Sequence, residues 1–146
     1  MNKREAYLDL QKRQKKKELE DFPIAYAFNE KQLEEALKKL GAKKEECVTL
    51  FNHGDVLKKI DVPAFKTMLK RHTKELQEAM KNEDFAEAAF LYEMDNHEYA
   101  INWDGDADVL AALCLDEKLL KEFGLEDAYR RARRAHMKHA EEWGMI

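Results

Sequence analysis

Apolar residues recur at helical spacing over most of the chain, and only short runs shift to the alternation of a strand. The densest pattern lies at Phe85, Ala88, Ala89 and Tyr92, with a second row at Ala86, Phe90, Leu91 and Met94. Only Glu87 and Glu93 interrupt these rows, and a helix apolar on nearly every side belongs inside a fold rather than on its surface. Asp95 and Asn96 break the period. Glu98-Tyr99-Ala100-Ile101-Asn102-Trp103 then alternates as a half-buried strand does, which predicts a strand threaded through the core. Asp104-Gly105 signals a turn, and Asp106 is placed to cap a helix from about Ala107.

The same reading predicts the other elements. Residues 2–20 form a helix with a thin apolar seam at Ala6, Tyr7, Leu10 and Leu19. Phe22 to Phe28 reads as a strand with Phe22, Ile24, Tyr26 and Phe28 on one face, and Pro23 is tolerated near its start. Asn29 caps the next helix, with Gln32 completing a capping box, Leu33, Ala36, Leu37 and Leu40 as its stripe, and Gly41 as its stop. Cys47–Phe51 and Val56–Ile60 flank Asn52-His53-Gly54-Asp55 and predict a hairpin. Asp61 caps a helix with Pro63 in its first turn, followed by Phe65, Met68, Leu69, His72, Leu76, Ala79 and Met80. After Asp106 two short helices are expected, the second capped by Asp116 and closed by Gly124. A last helix from about Glu126 carries Tyr129, Ala132, His136, Ala140 and Trp143 on one face. The sum is an α+β fold, helix-rich, with a small antiparallel sheet of three or four strands packed against six or seven helices.

At 146 residues with five Gly and two Pro, the chain is expected to form a single domain over 1–146, with the basic helix 1–20 at its start. A content of 45% hydrophobic and 38% charged residues excludes a disordered chain. No apolar run reaches the roughly 20 residues of a membrane span, and residues 1–17 lack the apolar core of a signal peptide. A cytoplasmic location without a membrane role follows as the expectation. Cys47 and Cys114 are then expected to stay reduced, as small buried hydrophobes. The net charge of −4 is unevenly spread, at +5 over residues 1–17, balanced over 18–73, −12 over 74–127 and +3 over 128–146. Either the basic ends fold over the acidic middle, or the acidic surface faces a partner that normally holds nucleic acid.

Catalytic signatures are missing. The chain has no serine and no glycine-rich phosphate loop. Thr49, Thr67 and Thr73 lack a nucleophile context, and a Cys–His pairing with His97 has no support in spacing. Asp104, Asp106 and Asp108 alternate as in a calcium loop, but the required Gly and Glu positions hold Val109 and Leu115. His136 and His139 form an H-x-x-H pair and Glu93–His97 an i, i+4 pair. Without a further ligand motif, a packed histidine is the expectation and a metal enzyme on His97, His136 and His139 the weaker one. No enzyme activity, metal or cofactor is therefore expected.

Two surfaces remain as candidates. Asn96, His97, Glu98 and Tyr99 form a polar patch that either holds the junction between helix and strand or continues through Trp103, Asp104, Asp106 and Asp108 as a partner-binding surface. Lys12, Arg13, Lys15, Lys16 and Lys17, with Arg130, Arg131, Arg133 and Arg134, are the alternative, a nucleic-acid contact, although no aromatic is interleaved to stack on bases. The run F-P-I-A-Y-A-F-N-E-K-Q-L-E-E-A-L-K-K-L-G (Phe22 to Gly41), with N-H-E-Y (Asn96 to Tyr99) and D-x-x-x-x-L-x-L (Asp108 to Leu115), resembles a family of small uncharacterised proteins of bacterial prophages and other mobile elements. The resemblance implies no catalytic residue. It implies a binding module that blocks or redirects a host protein, such as an inhibitor of a restriction or CRISPR nuclease.

Overall fold

Capping chemistry sets many of the element boundaries. The computed structural model describes residues 2–50 and 54–146. Among these, seven α-helices form: α1 (Lys3–Asp21), α2 (Glu30–Leu40), α3 (Val62–Met80), α4 (Glu83–Asn96), α5 (Gly105–Ala112), α6 (Glu117–Glu122) and α7 (Glu126–Glu142). Three strands, β1 (Ala25–Tyr26), β2 (Cys47–Leu50) and β3 (Asp55–Lys58), make one antiparallel sheet in the order β1-β3-β2. The fold is thus α+β and helix-rich. It divides into two compact units, one comprising the chain up to Gln11 together with Thr73–Ile146, the other Lys12–His72.

In the Lys12–His72 unit, Asn29 caps α2 by accepting from the Gln32 N–H at 2.8 Å. The Gln32 side chain does not return to the Asn29 N–H as a capping box would; it accepts from the Phe28 N–H at 2.8 Å. Gly41 ends the helix at φ +63°, a left-handed conformation that costs a side chain but not glycine. The sheet register pairs Ala25 with Val56, and Val48 with Leu57. The small residues Ala25 and Ala27 pack with Ala36 and Leu40 of α2 and with Val56 of β3. Phe22 and Ile24 pack instead with Leu57, Phe65 and Met68. The expected strand over 22–28 is thus regular only at Ala25–Tyr26, with one further bond from the Ala27 N–H, and Tyr26 and Phe28 are left exposed. The hairpin forms, but its expected turn residues Asn52 and His53 lie outside the described residues. Ile60 is exposed in a 3₁₀ turn over Lys59–Asp61, so Asp61 closes that turn directly before α3 begins at Val62.

The other unit is built around α4. Asn82 caps it, accepting from the Phe85 N–H at 3.0 Å. Six of its side chains are buried, including Phe90, whose full burial is worth about 2–3 kcal/mol. Ala86 and Ala89 on α4, with Ala128 and Ala132 on α7, have no exposed surface. Such small residues let two helix backbones approach closely. Phe90 meets Tyr129 edge to face at 5.0 Å. Tyr7 and Leu10 of α1, Leu76 and Met80 of α3, and Val109, Leu110 and Leu113 complete this core.

The strand expected over Glu98–Trp103 does not form. Glu98 stands at φ +51° and Tyr99–Ile101 makes a 3₁₀ turn. Of its apolar residues only Tyr99 packs against α7, edge-on to Tyr129 and His136, while Ile101 and Trp103 are exposed. Cys114 likewise departs from expectation: it is exposed, with φ +56°, while Cys47 is half-buried, and both are free thiols.

Candidate functional site

The link from α4 to α5 holds a connected polar network, and at its edge a tryptophan that the network leaves in solvent. Asn102 organises the turn. Its Nδ2 donates to the His97 carbonyl at 3.0 Å and to Asp108 Oδ2 at 2.9 Å, while its Oδ1 accepts from the Asp104 N–H at 2.9 Å. Asp106 is not the cap of α5, which starts at Gly105. Its Oδ1 instead accepts from the Tyr99 hydroxyl at 2.6 Å and from the Tyr129 hydroxyl. Burial, and then the Asp106 carboxylate, hold both phenols above their ordinary range. The Tyr99 ring leaves no room at Gly105, where a Cβ would come within 2.8 Å of it.

The H-x-x-H pair on α7 serves this junction. His136 is fully buried. Its Nε2 accepts from the Ala100 N–H at 2.9 Å and its Nδ1 lies 2.7 Å from Asp95 Oδ1. The two partners fix the tautomer, with the proton on Nδ1 and the Nε2 lone pair used by the backbone. Neither nitrogen is left for a metal. His139 Nδ1 approaches Asp95 Oδ2 at 3.0 Å, and its ring lies tilted against Trp143 with 5.2 Å between centroids. Glu93 lies in a second cluster. Its Oε1 accepts from the Tyr7 hydroxyl at 2.7 Å, and its Oε2 is 3.3 Å from His97 Nε2. Among the described residues no group of three His, Cys, Asp or Glu side chains could hold a metal ion.

The side chains of the expected partner-binding set therefore divide. Tyr99, Asp106 and Asp108 are joined in the hydrogen bonds that close the junction, to which His97 gives only its carbonyl, its ring lying against Glu93. Asn96 and Glu98 are exposed at the end of α4. Trp103 is fully exposed, with Ile101 half-exposed beside it in sequence. Trp103, Asp104 and Asp106 line an open groove of about 450 Å³ whose other walls are Leu110, Ala111, Leu115, Asp116 and Glu117. Its floor is apolar and its rim carries four carboxylates. Asp116 and Glu117 were not readable as part of this site, because a helix cap and a first-turn acid explain them locally. Nor were Asp95, Asn102 and Tyr129, whose partners lie on other elements.

The basic residues of the alternative surface are spread over both units, and several are engaged. Lys16 and Lys17 pair with Glu20 and Asp21 at 3.7 and 3.2 Å along α1. Arg130 pairs with Asp127, whose carboxyl it holds below the usual range. Arg131 reaches Glu83 at 3.0 Å and Glu87 at 2.9 Å, which raises its own proton affinity. Lys12, Lys15, Arg133 and Arg134 are exposed.

The chain belongs to a family of unknown function, DUF7659, whose model matches residues 6–135. Neither a curated protein nor a solved structure is significantly similar to it. The matched region includes every residue of the groove and of the polar network, apart from His136 and His139.

Proposed function

We propose that this chain is a non-enzymatic protein-binding module whose docking surface is the acidic groove edged by Trp103. The observation that carries the reading is the contrast within one short link. Tyr99, Asn102, Asp106 and Asp108 are fixed by mutual hydrogen bonds, while Trp103 stands entirely in solvent beside an apolar-floored groove. A large aromatic held by a rigid turn loses little entropy on docking, and buried tryptophans are frequent energetic anchors of interfaces. Asp104, Asp106, Asp116 and Glu117 set the charge of the partner. It is a basic surface bearing at least one apolar side chain that enters the groove.

A basic nucleic-acid channel has this chemistry, and the prophage and mobile-element resemblance read from the sequence is part of this proposal. The narrower reading is an inhibitor of a host nuclease or defence complex, of the anti-CRISPR or anti-restriction type. The alternative, a nucleic-acid-associated accessory protein, has less support, since Arg130, Arg131, Lys16 and Lys17 already face carboxylates.

The test is a nuclease-treated pull-down from bacterial lysate with three baits: the natural chain, Trp103→Ala, and the charge reversal Asp104→Lys/Glu117→Lys. All three substituted side chains are exposed, so circular dichroism should show the same helical content in each bait. A stoichiometric partner retained by the natural chain and lost from both variants is the expected result. Equal retention by all three would end the proposal, and capture of DNA-binding proteins that vanish with nuclease would favour the basic residues.

A further inference from the structure

A second surface, in the Lys12–His72 unit, is independent of the groove. β1 is an edge strand, paired on one side only. The Ala27 N–H donates to the Gly54 carbonyl at 2.8 Å and Ala25 pairs with Val56, so the main-chain groups of these alternate residues face β3. Tyr26 lies between them, and in an antiparallel ladder its N–H and C=O point the other way, out of the sheet. Among the described residues neither group has a partner. Edges are usually protected by short length, charged side chains, proline or a covering element; this one is two residues long and follows Pro23, but carries no charge. Here the positions flanking this edge are Tyr26 and Phe28, at 47% and 76% exposure. Beside them runs an open groove of about 410 Å³, walled on the far side by Gln32, Glu35 and Lys39 of α2.

We infer that this edge pairs with the same edge of a second copy of the chain, joining two three-stranded sheets across a two-fold axis. An isologous contact requires a surface complementary to itself. The edge satisfies that requirement in two respects. A two-fold axis beside Tyr26 lets the two copies exchange Tyr26 N–H···O=C bonds, with each Ile24 N–H meeting the Phe28 carbonyl of the other copy. The ladder stops there, because Gln32 already accepts from the Phe28 N–H. Charge gives the second match. The axis reverses the direction of α2, so Glu35 and Lys39 on the groove wall of one copy run opposite to Lys39 and Glu35 of the other, and reciprocal pairs between them belong to the inferred contact. Within one chain Glu35 and Lys39 make no ion pair with each other, and both are exposed. The pairing also covers Phe28 and Tyr26 and continues the sheet beyond β1.

Sedimentation velocity of the full chain over a concentration series tests this, with Glu35→Lys and the swap Glu35→Lys/Lys39→Glu alongside. Both positions are solvent-exposed on a capped helix, so each variant should keep the circular dichroism of the natural chain. The natural chain should sediment as a reversible dimer. Glu35→Lys should weaken association about tenfold or more, since two like-charge contacts replace two attractive ones. The swap should restore it. A monomer at every concentration would overturn the inference. So would a dimer indifferent to Glu35→Lys, or a swap that fails to recover the loss. These outcomes do not depend on Trp103, whose substitution should leave the dimer unchanged.

Discussion

Glu98 shows how one residue can redirect an element. α4 stops after Asn96, and the next turn of backbone needs a left-handed residue, the position that glycine usually fills at a helix end. Glutamate holds it at φ +51°, at a cost of about 1 kcal/mol. Its side chain is exposed and records no hydrogen bond that offsets the strain. Glu98→Gly should therefore raise stability by about 0.5–1 kcal/mol, read as a higher midpoint in urea denaturation. An unchanged or lower midpoint would show that the reversal is relaxed. The same residue explains why the sequence misled here. Without a glycine stop signal, Tyr99, Ile101 and Trp103 at alternate positions looked like one face of a strand. In the structure Tyr99 is packed between Tyr129 and His136, Ile101 is half-exposed and Trp103 faces water.

At the scale of elements, two phenol–carboxylate bonds tie helices together: Tyr7 of α1 to Glu93 of α4, and Tyr129 of α7 to Asp106 of α5. Burial is the larger cause, and the carboxylate the next, that keeps each phenol protonated far above its ordinary value near 10. Above that pH the unfolded chain releases both protons and the folded chain keeps them. Stability is therefore unaffected by these groups below about pH 10 and falls as pH rises beyond it, by about 1.4 kcal/mol per pH unit for each phenol. Urea denaturation at pH 9 to 11 should show this decline, and Tyr129→Phe should reduce its slope by one phenol's share. A slope unaltered by Tyr129→Phe would place the titration elsewhere. Helix boundaries were legible where the signal is local: Asn29 and Asp116 as caps, Gly41 and Gly124 as stops. Long-range partners were not. His136 reads the same on an apolar stripe whether it binds a metal or an amide, and only the arrival of Ala100 and Asp95 decides it.

For the whole molecule, the charge asymmetry seen along the chain is only partly carried into surface. Some acids of the middle segment are consumed within the fold: Glu93 by Tyr7, Asp95 by two histidines, Glu83 and Glu87 by Arg131. Others stay exposed, among them Asp84, Glu98 and Glu126, and four of the exposed acids gather at the groove. Charge counted along a sequence therefore overstates the field at the surface, and the groove was legible only as an acidic region, without its apolar floor. Trp103 has an optical consequence. The chain's two tryptophans, Trp103 and Trp143, are fully and half exposed, and Trp143 lies against the His139 ring, a contact able to quench it. Intrinsic emission of the native chain should thus already resemble that of indole in water and shift little on unfolding. Docking at the groove would move Trp103 out of water, so a blue shift on adding a partner, absent in Trp103→Ala, would report occupancy of the site directly. A partner that binds without any such shift would have docked elsewhere.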